Sequence, residues 1–525
     1  MTEAKKITKA ASIVGGATFV SRVLGYIRDA VIASYFGAGT NADIFFIAYR
    51  IPNFFRRLVG EGALTVSFIP VFTEELMLGS KERAKRLAAT SFTLFSIILA
   101  VLTIAGILFS AQIVELTAPG FANIQNKLPI TVSLTKWMFP FLFFICLVAL
   151  GMGVLNSLKH FTAPALSPAL FNLSMIGSTI FLIPFFKQPV YALAFGVVFG
   201  GILQFLYQLP YLKQYDMFPR FDFHFNDPAI KKIVFLMLPA ILGAAVYQIN
   251  ILITSRFASH LREGSVSYLY YADRIFELPI GVFVIAVATA VLPSMSEYAV
   301  KQDWPAFKES LSFGIRLVTF ITIPATVGLI TLGMPIVSML FQRGEFTQEA
   351  TKGTVYALYF FSLSLAAFGG VRILVSAFYS LKDTFTPVKV GIAAVIANII
   401  FCFILIGPLQ HGGLALATSL SSIVNLLLLF LILRKKLGGI GGRKIFTSAI
   451  KVAIASTPMG IAVYGLSLLV DWSSDGVTIA KVSVLSLSIL AGIAVYVLFA
   501  HILKSPELIF LVNMIAEKWG KVKGK

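Results

Sequence analysis

Charge is scarce in this chain: Asp, Glu, Lys and Arg together make up 13% of its 525 residues, about half the share of an ordinary soluble domain. Apolar residues fill the gap, at 58% with 48 Phe, more than a water-soluble core of this size can hide. A soluble enzyme is thereby excluded, and a mean hydropathy of +0.87 makes lipid the solvent for much of the surface. Acid is scarcer than base, 24 against 43 for a net +19. In a soluble protein that imbalance would suggest nucleic acid, but here the basic residues fall mostly in short connections between apolar runs, so it is a topology signal and no nucleic-acid partner is expected. The two cysteines, Cys146 and Cys402, sit in separate apolar runs, which excludes a disulfide framework and a thiolate metal site. Five scattered histidines lack metal-ligand spacing. No P-loop is present, because GGIGGRK at 438–444 lacks both the residue order and a preceding strand. No cofactor is expected, and the remaining drives are the membrane potential or an ion gradient.

Runs long enough to cross roughly 30 Å of hydrocarbon at about 1.5 Å per residue recur fourteen times: 10–34, 41–73, 87–116, 129–157, 162–186, 190–212, 230–256, 266–296, 309–340, 350–380, 386–407, 412–433, 446–470 and 478–503. The first is read as a retained helix, since Arg22 and Arg28 interrupt it and no cleavage site follows. With a cytoplasmic N-terminus, the inside segments hold 25 Lys and Arg and the outside segments five, Lys127, Lys187, Arg256, Arg262 and Arg343. One missed or extra helix would scramble that bias. The expected fold is all-α and polytopic, with fourteen transmembrane helices and both termini in the cytoplasm.

The sequence also repeats itself. FFIAYRIPNFF (45–55) and LYYADRIFELP (269–279) align Arg50 with Arg274, at a separation of 224. Glu74 and Glu297 close IPVFTE and LPSMSE, and Ser157-Leu158-Lys159 matches Ser380-Leu381-Lys382, both pairs 223 apart. Helices 1–6 and 7–12 are therefore expected to be two six-helix copies in the same orientation, forming two lobes around a central cavity. The expected domains are 1–215, the N-terminal lobe; 216–437, the C-terminal lobe; and 438–525, two extra helices with a basic tail.

Two lobes of parallel repeats suit an alternating-access transporter. Thirteen of the 43 Lys and Arg remain inside predicted helices, and each charge near the bilayer centre costs about 2.5–3.5 kcal/mol unless it meets water or a partner. Helix 1 carries Ser21, Arg22, Arg28 and Asp29, with the two arginines offset by about 120° and able to border one broad wall. Helix 2 carries Asp43, Arg50, Arg56, Arg57 and Glu61, and helix 8 carries Asp273, Arg274 and Glu277. Arginine forks suit phosphate oxygens, so the expected cavity attracts anions. Arg22, Arg28 and Arg56 have too few carboxylates nearby to be silenced. Glu61 and Glu277 could as well neutralise Arg57 and Arg274 along their own helices, and Arg50 could serve lobe packing. Arg316, Arg372, Lys136, Lys352 and Lys389 are read as snorkelling residues near helix ends.

The stretch SRVLGYIRDAVIASYFGAGTNADIFFIAYRIPNFFRRLVGEGA (21–63), with YYADRIFELPIGVFVIAVATAVLPSMS (270–296), resembles the MurJ/MviN family of lipid II flippases in the multidrug/oligosaccharidyl-lipid/polysaccharide exporter superfamily. The resemblance runs essentially end to end. It implies that Arg28, Arg56 and Arg274 match the family's essential cavity arginines, that Arg22, Asp43 and Glu61 match other sensitive positions, and that Asp29 and Glu277 accompany them. It implies the substrate, undecaprenyl-diphosphate bearing the disaccharide-pentapeptide of peptidoglycan, moved from the cytoplasmic to the outer leaflet of a bacterial inner membrane. Membrane lipids are then further partners, cell-wall synthesis proteins are candidates, and helices 13 and 14 would hold the polyprenyl tail. Some members bind sodium through carboxylates on helices 7 and 11, where this chain has Asn250, Asn398 and Cys402, so sodium coupling is not expected on this ground.

Three alternatives remain open. One is an exporter of another polyprenyl-linked glycan, or a drug exporter of the same fold, although the arginine excess disfavours cationic drugs. A membrane glycosyltransferase would need a catalytic carboxylate on a sizeable outside loop, and the outside loops here are about ten residues or shorter. An anion channel would be separated from a carrier by single-channel conductance.

Overall fold

The computed structural model describes residues 3–523, without the side chains of 1–13, 61–63, 242, 247, 515 and 517–523. Among the described residues there is no strand, and the helices follow one another as α1 (Glu3–Phe36), α2 (Thr40–Arg56), a π-helical stretch (Arg57–Leu64), α3 (Thr65–Leu78), α4 (Lys81–Leu108), α5 (Ser110–Thr117), α6 (Lys127–Ser157), α7 (Thr162–Leu182), α8 (Val190–Gln214) and α9 (Pro228–Ser259). The rest are α10 (Ser265–Pro279), a second π-helical stretch (Ile280–Val284), α11 (Ile285–Val300), α12 (Trp304–Thr331), α13 (Gly333–Phe341), α14 (Gln348–Ser362), α15 (Leu365–Ser380), α16 (Phe385–Leu437), α17 (Gly442–Ser467), α18 (Ile479–Ile502) and α19 (Pro506–Lys523).

Local chemistry sets several starts. Ser80 accepts from the Arg83 N–H to cap α4, Asp303 caps α12 through Ala306, and Asp227 caps α9 just ahead of Pro228. Among the described residues ten helices are long and apolar enough to cross a membrane, or eleven if the bent pair α14–α15 is one span. The fourteen expected runs are reduced because α1 and the broken run α2–α3 fall outside that test and because α16 counts once. At 53 residues α16 would be about 80 Å long if straight. It is not straight: Gln410 has φ 51° and ψ −131°, and a Cβ on Gly413 would strike the Leu405 carbonyl. Eight residues of continuous helix would hold those positions about 12 Å apart, so the chain turns back on itself there.

Packing divides the chain into two compact units, one of Met1–Val266 with Gly344–Phe346, the other of Ser267–Arg343 with Thr347–Lys525. This partition differs from grouping by repeat, because α9 packs on α3, α4, α5 and the first π-helical stretch and so belongs with unit one. Small residues set the close crossings. In unit one Gly106 admits the Phe139 ring, and Ser174 Oγ donates to the Gly196 carbonyl at 2.8 Å. In unit two Cβ atoms on Gly460 and Gly492 would each lie 2.7 Å from a valine, Val327 and Val463, and Tyr496 Oη donates to the Phe320 carbonyl at 2.7 Å. These contacts seat α17 and α18 against α12. Both cysteines are buried and neither is in a disulfide.

Candidate functional site

Arginine cannot sit inside an apolar helix without compensation, and the first unit shows how Arg28 is compensated. Its Nη2 and Nε donate to Asp29 Oδ1 at 2.6 and 3.0 Å, and its Nη1 donates to Asn172 Oδ1 at 3.0 Å. Asn172 Nδ2 in turn donates to the Ser21 carbonyl at 3.0 Å, and the guanidinium lies 5.9 Å from the centre of the Phe171 ring. Asp29 is buried, while 12% of the Arg28 side chain is exposed. Ser21, Arg28 and Asp29 are thus gathered on one side of α1 by α7, through a residue that nothing in the spacing had pointed to. The available signal was an amide within the uncharged run of α7, whose other polar groups are hydroxyls. Arg22 lies on an exposed part of α1.

Arg56 is half-buried at the end of α2, with Nε donating to Asn53 Oδ1 at 2.7 Å. Arg57 opens the π-helical stretch, whose wider turn takes Arg57 and Glu61 off the α-helical i,i+4 register; the Glu61 side chain lies outside the described residues. Arg50 donates to Ser255 Oγ on α9.

Asp43 does different work. Its Oδ2 meets Lys127 Nζ at 2.9 Å with both side chains 2% exposed, and it also accepts the Gly264 N–H at 3.0 Å. Lys127, read from sequence as an outside-loop charge, is therefore buried, 4.3 Å from the centre of the Phe121 ring. Nearby, Glu263 Oε1 accepts from both the Thr40 N–H and the Thr40 hydroxyl at 2.6 Å, and the Glu345 N–H donates to the Ser34 carbonyl at 2.8 Å. Within unit one the turn between α1 and α2 is thus tied to the turn after α9. The Thr40 hydroxyl bond is the largest influence holding the Glu263 carboxyl below its usual range; burial opposes it, while the Thr40 N–H and the Lys127 charge assist.

In unit two, α10 carries Asp273, Arg274 and Glu277, all partly exposed. Arg274 Nη1 reaches Glu277 Oε2 at 3.4 Å, with 28% and 36% of the two side chains exposed, a long and loosely held pair. Arg316, expected to snorkel, does not: it is buried between Glu507 at 2.9 Å and Glu309 at 3.2 Å. The α19 segment that supplies Glu507 was not anticipated as a partner. Among the described residues no group of three His, Cys, Asp or Glu is placed to hold a metal.

The family model described as "Lipid II flippase MurJ" matches residues 32–499. The "Probable lipid II flippase MurJ" of Vibrio cholerae serotype O1 is 38% identical over 488 residues, covering 91% of this chain and 93% of that protein. The "Lipid II flippase MurJ" of Burkholderia cenocepacia is 36% identical over 427 residues, 81% and 83% of the two chains. A solved structure titled "Lipid II flippase MurJ, inward closed conformation" superposes with a TM-score of 0.78 at 29% identity, covering 96% of this chain and 99% of that one. An inward-facing multidrug resistance MATE transporter of the MOP superfamily, 18% identical, covers 80% of this chain and 96% of its own with a TM-score of 0.69, which bears on the fold alone.

Proposed function

The chain belongs to the lipid II flippase MurJ family, and from that premise we propose that it carries the diphosphate of lipid II on arginines while the polyprenyl tail stays in lipid. Lipid II flipping is its function. The observation that carries the mechanism is the Arg28 cluster: a cation on α1, held in one orientation by Asp29 and Asn172, with a fork suited to phosphate oxygens. Asp29 compensates the guanidinium when no diphosphate is present, and the diphosphate competes with it for those donors. Arg22, Arg56 and Arg274 add further charge, with Ser21, Asp273, Glu61 and Glu277 as supporting groups.

The finer architecture is part of the same proposal. Eleven apolar spans become fourteen when α16 is divided at Gln410 and when α1 and the run α2–α3 are counted as crossings. Recurring boundaries support the two copies: α4 and α12 start and end 223 residues apart, as do α2 and α10 at their ends and α5 and α13 at their starts. Each of α2 and α10 then runs into a π-helical stretch. Lys159 and Lys382, 223 apart, share a left-handed φ of 61° and 60°. The domains are then the two lobes and a C-terminal pair, α17 and α18, whose exposed Ile461, Leu490 and Ile493 suit a lipid-tail groove. Both termini lie in the cytoplasm of a bacterial cell, and no covalent bond is made or broken. Movement is driven by the membrane potential, about 2.3 kcal/mol per charge per 100 mV, or by an ion gradient.

In alternating access the outside turns close when the cavity opens inward, and the Thr40–Glu263 and Asp43–Gly264 contacts fit closure on that side. Depletion of the protein in cells tests the reading. Lipid II in the outer leaflet should fall, and wild-type protein should restore it where Arg28→Ala does not; full restoration by Arg28→Ala at equal protein level would remove the phosphate role.

A further inference from the structure

Between α8 and α9 the chain runs without helix through the sequence FPRFDFHF, residues 218–225. Phe221 is 85% exposed and Phe223 66%, and Phe218 is 41% exposed. The two outermost rings stack, with centroids 6.5 Å apart and planes 9° from parallel, and Phe223 meets Phe225 edge to face at 5.9 Å. Alternation in an extended segment sends neighbouring side chains to opposite sides, and Asp222 points the other way. Its Oδ1 accepts from Thr90 Oγ1 at 2.9 Å and from the His224 N–H at 3.0 Å, while its own N–H donates to Thr93 Oγ1 at 2.9 Å. Thr93 Oγ1 further donates to the Arg220 carbonyl at 3.2 Å. The segment is therefore pinned along its back to α4, with a row of phenylalanines facing outward.

We propose that this segment is a membrane-interface anchor, bedding Phe221 and Phe223 into the anionic cytoplasmic leaflet. The segment joins α8, which ends at Gln214, to α9, which begins at Pro228, and because both are long and apolar enough to span, it would lie at one boundary of the bilayer. Phenyl rings so exposed are unfavourable in water and favourable at the acyl boundary. The flanking charge complements acidic headgroups: Lys213, Arg220 and Lys231 are exposed, whereas the acidic Asp216 is bonded to Lys81 at 2.7 Å and Glu74 to Lys232 at 2.7 Å. A row clamped at the back and basic at its edges holds the start of α9 at a fixed depth. The leaflet assignment rests on the proposed topology.

Spin labels on cysteines placed singly at Phe221, Phe223 and His224, in full-length protein carrying Cys146→Ala and Cys402→Ala, test this in nanodiscs of phosphatidylethanolamine and phosphatidylglycerol. Labels at 221 and 223 should be accessible to oxygen and shielded from a water-soluble nickel chelate, with the label at 224 showing the reverse. That contrast should weaken in phosphatidylcholine nanodiscs. Equal water access at all three positions would overturn the anchor and leave an exposed face for a protein partner; no change without anionic lipid would overturn the headgroup part. Separately, labelling of His224→Cys in intact cells by an impermeant thiol reagent from outside would overturn the topology, and the leaflet assignment with it, whatever the depth pattern.

Discussion

In the proposed mechanism Arg28 is a cation for the substrate that must cost little when the substrate is absent, and its bonds to Asp29 and Asn172 would meet both needs. Deleting the cation should abolish complementation: Arg28→Ala, Arg56→Ala and Arg274→Ala are each expected to leave protein in the membrane without flipping, and lysine should rescue poorly because a point charge lacks the fork. Normal growth on all three would remove the arginine site. Asn172→Leu keeps every charge, so it should weaken flipping without abolishing it, as read by outer-leaflet lipid II. Asp43 belongs to a buried pair, and breaking such a pair from one side costs about 3–5 kcal/mol. Lys127→Met should therefore lower the unfolding temperature more than Asp43→Asn combined with Lys127→Met, and the opposite order would show that the pair is not coupled. The need of Arg28 for partners was legible in the sequence because a charge in an apolar run demands a reason. Asn172 was not, being neutral, and Lys127 reads as a loop residue because its partner Asp43 lies 84 positions away. Arg316 was misread because Glu507 lies 191 residues away, beyond any local rule.

At the scale of elements, helix ends were readable where a cap marks them, as at Ser80 and Asp303. The π-helical stretches were not, since no residue pattern separates a π turn from an α turn there, and the reversal at Gln410 showed only as a short interruption between two apolar runs. Exposure decides where labels can report topology. Trp472 lies at 8% exposure and donates its indole N–H to Ser467, so Val477, 49% exposed, is the better reporter. Cysteines at Asn41 and Val477 should react with an impermeant reagent from outside, and those at Ser80 and Gly439 should not; reaction at Ser80 would reverse the orientation. Glu263 gives the tie between the turns after α1 and α9 a pH dependence of known sign. Its folded pKa is depressed, so its contribution is complete above the ordinary Glu value of about 4.3 and is lost only as pH falls through the lower folded value. Spin-label distances between the turns should be flat from about pH 5 to pH 8 and lengthen only in stronger acid; lengthening near neutrality would assign the latch to another group.

For the whole molecule, the bilayer-spanning helical class and the lipid-linked anionic substrate were both legible, the first from composition and the second from family resemblance beside arginines on predicted helices. The compact units were not, because α9 follows its packing partners in unit one and not its place in the repeat. Gly264 also has φ +86°, a conformation a cysteine would strain, so a cross-link between the outer turns is better placed at Thr40 and Glu263, whose side chains touch at 2.6 Å. Outer-leaflet lipid II in cells carrying Thr40→Cys and Glu263→Cys, measured before and after a short reducible bis-thiol reagent and again after reduction, tests alternating access most directly. Flipping should stop on cross-linking and return on reduction, with the uncross-linked variant as reference; undiminished outer-leaflet lipid II with the cross-link fully formed would contradict opening at this face.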